Sequence, residues 1–434
     1  MNQIQQHALK KLKSLHVDSG EVALHQTKGF SVTARLGEVE TVEYHLEKNF
    51  SVAIYHQHRC GTASTSDFSI HAIDAAIEKA LSIATFSNPD PFSGLADAKK
   101  LATVIPQCDL IHPWNITPPE AIALAVACEK NALAFDQRIV NSDGVSVNTI
   151  QSDIIYSNTL GFIGEYALTD HSIACSLVAK EKNNMQRDDA YTTARNPAEL
   201  ESIDVVAQRA AEKTVARLNA RRLKTQNCAV IFDAPVAKSL LSAFVQAISG
   251  PQLYRQSTFL LNAMNTAVFP AFISIQQQPH LPSAMGSAPF DREGVATHNQ
   301  YYVDNGKLIR YVLDSYSARK LNLETTGNSG GVFNLSITFN ATTRDELMQN
   351  MKTGLLVTEL MGHGTNITTG DYSRGASGFW IEHGKIQFPV EEITIAGNLK
   401  EIFSGIVGVA NDIDIRSTIR TGSIWINRMT VAGE

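Results

Sequence analysis

The chain has 434 residues, 44% of them hydrophobic and 18% charged, and a formal net charge of −6. That length exceeds one typical core and predicts two domains of ordinary soluble composition. The negative balance excludes a broad phosphate-binding surface, because sequence-independent affinity for nucleic acid needs clustered Lys and Arg. The five cysteines, Cys60, Cys108, Cys128, Cys175 and Cys228, are odd in number and widely spaced. With no CxxC pair they read as scattered thiols of a reducing compartment. The opening segment MNQIQQHALKKLKSL is amphipathic without an uninterrupted apolar stretch, and nowhere does the chain carry the roughly 18 apolar residues of a membrane span. A cytoplasmic protein with no membrane and no nucleic-acid partner is the expectation.

Ile4, Ala8, Leu12 and Leu15 recur at helical spacing and predict an opening amphipathic helix. Residues 20–59 read as a meander of strands, alternating at Phe30, Val32, Ala34 and Leu36 and again at Val42, Tyr44 and Leu46. Ser66 or Asp67 then caps a helix whose buried stripe is Ile70, Ile73, Ile77 and Leu81. The turn formers of SNPDPFSGLAD lead into a second unit. There Thr117 opens a helix, with Pro118 in the first turn and Glu120 completing a capping box. Strands between 139 and 178 and a long helix over 197–218 follow. The basic stretch ARRLKTQ, 220–226, reads as a solvated linker and the domain boundary.

Beyond it come a strand at 229–232 and a helix at 235–248, ended by Ser249, Gly250 and Pro251. Short alternating runs at 301–303, 308–313 and 333–339, and a helix opened by the box Thr343 to Glu346, complete a strand-rich region. The resulting fold class is α+β. An N-terminal α/β domain with a strand meander and helices takes residues 1–225, and a strand-rich, mostly antiparallel domain takes 226–434.

Five phrases point to one family: PFSGLAD at 91–97, NMQRD at 184–188, FDREGVAT at 290–297, LDSYSARKL at 313–321, and TGLLVTELMGHGTNITTGDYSRGASGFWIEHGKIQFPVEEITIAGNL at 353–399. Together they resemble the TldD/PmbA family, once named modulator of DNA gyrase and now regarded as peptidase subunits. Within it they are similar to the PmbA (TldE) branch. The TldD branch carries a His-Glu-x-x-x-His zinc motif on a helix and a cysteine near its C-terminus.

Zinc-dependent peptide hydrolysis needs imidazoles one helical turn apart, a third ligand, an open position for water and a carboxylate to move protons. The resemblance places the zinc motif near 243–250, where this chain reads AFVQAISG, and the cysteine near 417–422, where it reads STIRTG. Both family ligand sets are missing. No catalytic residue and no cofactor are therefore assigned to this chain, and the zinc is expected in a TldD-like partner.

His56, His58 and Cys60 are the best alternative metal set, since i, i+2, i+4 spacing puts them on one strand face. Val52 and Ile54 share that face, and a strand running from core to rim is the plainer reading. Glu359 and His363 lie one turn apart if TELMGHG is helical, but Gly362 and Gly364 favour a sharp turn and a structural or substrate-contact role. No GxSxG elbow is present, Ser373 and Ser377 lack an adjacent histidine, and TTGNSGG at 325–331 lacks the Lys-Ser/Thr of a P-loop.

DYSRGASGFW remains. Asp371, Tyr372 and Arg374 supply a carboxylate, an amphipathic ring and a forked cation beside backbone freed by Gly375 and Gly378, a set suited to an extended peptide or a partner loop. The alternative is an Asp-Arg pair that fixes a loop. With His363 these are the candidate peptide- or partner-binding residues. The resemblance implies a PmbA/TldE-like subunit of a TldD/PmbA-type metallopeptidase system acting on peptides or unfolded small proteins, paired with a TldD-like subunit and a homodimer when isolated. A stand-alone metallopeptidase built on His56, His58 and Cys60, or a non-enzymatic peptide-binding or regulatory adaptor, are the alternatives.

Overall fold

A computed structural model describes residues 1–433. The N-terminal half contains α1 (Asn2–Ser14), β1 (Ser19–Arg35), β2 (Glu38–His56), β3 (Arg59–Thr65), α2 (Ile70–Phe86), α3 (Pro118–Phe135), β4 (Ile139–Asn158), β5 (Ile163–Glu181), β6 (Asn184–Ala194) and α4 (Ile203–Ala216). Its strands form one antiparallel sheet in the order β3-β2-β1-β4-β5-β6. Even-numbered residues of β1 enter both cores of this half: Val22 and Leu24 pack with Ile73 and Ile77 of α2, and Val32 and Ala34 with Ala125 and Cys128 of α3. Since side chains alternate across a strand, the helices share one sheet face and Glu21, Ala23 and His25 point from the other.

Local chemistry sets the boundaries. Thr117 N and Oγ1 donate to Glu120 Oε2 at 2.8 and 2.7 Å, so α3 starts at its capping box. Helix α2 starts later than expected, on Ser69, because Asp67 is occupied in accepting from Ser69 N and Oγ at 2.8 and 3.0 Å, and this leaves Ile70 exposed. The helix expected over 197–218 is α4 preceded by one 3-10 turn at Pro197–Glu199. Leu36 lies outside β1, in a turn with φ 52°, and Val42, Tyr44 and Leu46 are exposed on β2.

The β1–β2 turn hangs on a buried charge. Glu129 of α3 is 1% exposed and accepts from Leu36 N and Gly37 N at 3.0 and 2.8 Å. Glu129→Ala removes the acceptor of two amides and is expected to cost roughly 2–3 kcal/mol. A lower thermal midpoint together with faster amide exchange at Leu36 and Gly37 is the expected result; unchanged exchange would show that the turn holds without it.

The C-terminal half contains β7 (Gln226–Phe232), α5 (Ala234–Ala247), α6 (Gly250–Tyr254), β8 (Ile275–Gln277), β9 (Gln300–Asp304), β10 (Lys307–Leu308), α7 (Ser315–Lys320), β11 (Leu335–Ile337), α8 (Arg344–Met351), β12 (Gly354–Met361), β13 (Asp371–Glu382), β14 (Lys385–Asn398), α9 (Leu399–Ser404), β15 (Ile406–Val409), β16 (Ile419–Arg420) and β17 (Ile424–Ala432). One sheet runs β14-β13-β12-β7-β17-β15, and a further β14–β17 pairing closes five of these strands into a ring. Only β12–β7 is parallel within it. Val230 and Phe232 pack with Leu240, Leu241 and Phe244 of α5, while Ile231 points the opposite way, onto Leu347 and Met348 of α8. A smaller sheet, β10-β9-β8-β11-β16, adjoins it. The α+β class and the strand-rich, mostly antiparallel C-terminal region are as expected. Among the described residues no helix is long and apolar enough to cross a membrane.

The distant phrases meet where the halves touch. Arg319 donates to the carbonyls of Phe92, Gly94 and Leu95 at 2.6, 2.8 and 3.0 Å, and the Tyr316 hydroxyl donates to Asp90 at 2.6 Å, so LDSYSARKL grips PFSGLAD. Arg217, just after α4, pairs with Glu359 of β12 at 2.6 Å and Asp188 of β6 at 3.4 Å, which ties NMQRD to the ring.

Candidate functional site

The candidate binding residues sit on strands. DYSRG opens β13, paired along its length with β14 and reaching β12 only at Gly375, so the segment is strand rather than a loop fixed by an Asp-Arg pair. Asp371 is exposed and accepts from Thr369 Oγ1 at 2.6 Å, whereas Tyr372 is 2% exposed with its ring edge-on to Phe232. Burial pushes the Tyr372 phenol up to about 12, opposed by the Arg374 cation. Arg374 is half-buried, and its Nε has no hydrogen-bond partner among the described residues. Alternation therefore sets Tyr372 and Arg374 on one face and Asp371 on the other, and no Asp371–Arg374 pair forms among the described residues.

TELMGHG is not helical. Glu359 lies in β12, where its carboxylate takes Arg217 and, at 2.8 Å, the Ser377 hydroxyl, while His363 is exposed beyond the strand's end next to Gly362 at φ +74°. Ser373 is exposed and Ser377 buried.

The single-face reading of His56, His58 and Cys60 also fails. The chain reverses at Gln57 and His58, whose φ values are 52° and 61°, and the strands then pair His56 with Arg59 and Tyr55 with Cys60. Two left-handed residues make the two-residue hairpin turn that matches strand twist. Neither is Gly or Asn, so the usual turn signal was missing. Among the described residues no three His, Cys, Asp or Glu side chains converge as a metal set.

A cleft of about 970 Å³ lies where the helix-free face of the N-terminal sheet meets segments 285–292 and 329–333. Its floor carries Glu21, Ala23, Ser51, Ala53, Thr62, Tyr156 and Tyr166; Phe290, Asp291, Arg292 and Gly330 stand opposite. Glu21 accepts from the Tyr55 and Tyr156 hydroxyls at 3.0 and 2.5 Å, and burial raises its carboxyl pKa against those two donors. Asp291 Oδ1 accepts from Glu293 N and Val295 N, both at 2.9 Å, and Oδ2 from Ser329 N at 2.9 Å. Burial nevertheless pushes Asp291 up to about 6 and Glu293 up to about 7. FDREGVAT is thus a loop folded around its own carboxylate, with Arg292 held out to the cleft.

Comparison with known proteins identifies the architecture. Models of the PmbA/TldA metallopeptidase family match domain 1 at residues 20–84, the central domain at 111–218 and the C-terminal domain at 225–433. The chain belongs to this PmbA/TldD family. It is 43% identical over 424 residues to metalloprotease PmbA of Escherichia coli O157:H7, covering 98% of this chain and 94% of that one. It is 43% identical over 416 residues to a PmbA homolog of Haemophilus influenzae, covering 96% and 92%. A solved Bacteroides thetaiotaomicron protein, described as a proposed modulator of DNA gyrase, superimposes with a TM-score of 0.94 at 25% identity over 100% of this chain and 99% of the other. TldE of Thermococcus kodakarensis shares the fold, with a TM-score of 0.83 at 20% identity over 100% and 99%.

The PmbA/TldD relatives are named metalloproteases, so the donors present here have to be weighed against a metal. In α5 and the residues after it, Ala243, Phe244, Ala247 and Ile248 are packed into the main core, and 243–250 supplies no imidazole, thiolate or carboxylate. At 417–422, Ser417 Oγ is committed to the Ile419 carbonyl at 2.7 Å and Thr421 Oγ1 to the Gly422 carbonyl at 2.9 Å. These two segments do not fit a zinc ion held by His, Cys or carboxylate ligands.

Proposed function

We propose that this chain is the PmbA/TldE-type subunit of a two-subunit peptidase, in which a TldD-type partner holds the zinc and the general base. The observation that carries the reading is the core-packed, ligand-free 243–250 segment within a chain that matches the family almost end to end. A family scaffold whose expected metal helix is spent on packing supports a division of labour. Residues 1–225 and 226–434 then act as two bodies around the cleft, and the substrates are peptides or unfolded small proteins met in the cytoplasm.

His363 and Asp371 lie exposed near the end of the β12–β13 pair and belong to the contact surface for peptide or partner, with Tyr372 and Arg374 bracing that strand from behind. An apolar row on β2, Val42, Tyr44 and Leu46, lies where β3 no longer pairs, beside a strand edge left open from Glu38 to Asn49. Such a row next to unpaired backbone supports docking of the TldD-type subunit, or of a second copy when the partner is absent.

Metal analysis after dialysis tests the reading directly. The purified chain is expected to hold no stoichiometric zinc, and a TldD-like protein is expected to co-purify from native cells. A full equivalent of zinc, lost in His56→Ala or His58→Ala, would replace the subunit by a stand-alone metallopeptidase.

A further inference from the structure

We propose that the cleft between the two halves binds an extended peptide through a carboxylate, received by Arg292 and the Tyr166 hydroxyl with Arg195 behind them. This deepens the peptidase-subunit reading by naming the chemistry the cleft selects.

The cleft's acids are already spent. Glu21 is saturated by two phenols and Asp291 by three backbone amides, so neither can receive a cationic ligand without breaking the bonds that shape the site. The free groups are donors. Arg292 is exposed and its guanidinium has no hydrogen bond or ion pair among the described residues. Its place is nonetheless set by the backbone, since it lies across Gly330, a residue at φ +103° where an added Cβ would stand 2.9 Å from Arg292 Nε.

Tyr166 is positioned from the side. Phe290 meets its ring edge-on at 5.3 Å, and its hydroxyl has no protein partner among the described residues. Tyr166, Arg195 and Arg292 all line this one cleft, and the two cations oppose the burial that raises the phenol. Arg195 is only 6% exposed and is fixed by the carbonyls of Thr169 and Met285 at 2.9 and 2.8 Å, yet its Nε has no partner among the described residues. Asp170 partly offsets the Arg195 charge. A planar, doubly donating guanidinium beside a phenol suits a carboxylate, and charge-assisted bonds of this kind are about twice as strong as neutral ones.

The remaining surface suits peptide backbone and side chains. Ala23, Ser51, Ala53, Thr62 and the Tyr156 ring make a shallow floor, and Phe290 gives an apolar wall opposite, within a volume of about 970 Å³. That space takes several residues of extended chain, and its polar anchors are few, as in a ligand site. Two sources of carboxylate fit: the C-terminus of a peptide, or an internal Asp or Glu.

The experiment uses the full chain without a partner and follows anisotropy of a short unstructured peptide carrying a neutral N-terminal fluorophore. The peptide is made with a free or amidated C-terminus and with Glu or Gln in its interior. Losing the operative carboxylate should weaken binding roughly ten- to a hundredfold. Loss on amidation assigns the terminus, and loss on Glu→Gln assigns the side chain. Arg292→Ala should erase the preference while leaving the weak binding of the neutral peptide, and Arg292→Lys should restore part of it. Equal binding of all four peptides, or an Arg292→Ala chain that keeps the preference, overturns the proposal. Because no cleavage is measured, a failure here is distinct from a failure of the two-subunit reading.

Discussion

An unfolded peptide incubated with this chain alone is expected to stay intact, and the same peptide is expected to be cut once a TldD-type subunit is added. The partner alone should be weak or inactive, because the proposal gives part of the substrate surface to this chain. The magnitude follows from the chemistry that is moved. A positioned general base contributes roughly 10²- to 10⁴-fold, and metal-bound water supplies the nucleophile besides. Replacing the glutamate in the partner's zinc motif should therefore abolish cleavage, while no single substitution in this chain should do so without also disrupting docking or peptide binding. Peptide hydrolysis by the isolated chain, sensitive to a chelator and unchanged on further purification, would overturn the division of labour.

What could be read from the residues was local. The Thr117–Glu120 capping box, the Ala8–Leu12 stripe of α1 and the β7–α5 pair each follow from a few neighbouring side chains, and each formed as expected. The failures came where a turn lacked its customary residue. Gln57 and His58 adopt left-handed backbone without Gly or Asn, so the hairpin that separates His56 from Cys60 was invisible. TELMGHG is the opposite case: its glycines predict a sharp turn over a helix, and Gly362 turns at φ +74° where β12, paired with β7 and β13, ends.

The cleft could not be read at all from spacing. Its lining comes from alternate small and polar residues of β1 to β5 and from two loops more than a hundred residues downstream, and Ala23 or Ser51 carries no signal in isolation. FDREGVAT stood out only as a phrase. That Asp291 folds the loop around itself and holds Arg292 outward depends on three amides, one of them Ser329 N, from a different segment.

Glu293→Gln should stabilise the protein at about pH 8 and do nothing near pH 4. Burial, with the Asp291 charge adding to it, pushes the Glu293 carboxyl from 4.5 up to about 7, and burial pushes Asp291 from 3.8 up to about 6. An acid whose folded pKa is raised binds its proton more tightly in the native state. The associated stability is complete below the unfolded pKa and is lost as pH rises through the folded one. The window here runs from about pH 4 to about pH 7, and at 1.36 kcal/mol per unit the Glu293 share is on the order of 3 kcal/mol. A glutamine removes the charge yet keeps an oxygen for Ser315 N, which Glu293 Oε2 holds at 3.0 Å. Thermal melts of wild type should fall across this window and those of Glu293→Gln should fall less, so that the two coincide near pH 4 and separate as pH rises towards 8. Asp291→Asn is the contrasting case: its amide nitrogen cannot accept from the backbone, so at least one of the three amide contacts is lost, and the variant should be less stable than wild type near pH 4, where removing the raised carboxyl brings no gain to offset that loss. Parallel melting curves for wild type and Glu293→Gln would mean that Glu293 carries no ionisation penalty in the native loop, and the raised carboxyl beside the cleft would have to be abandoned.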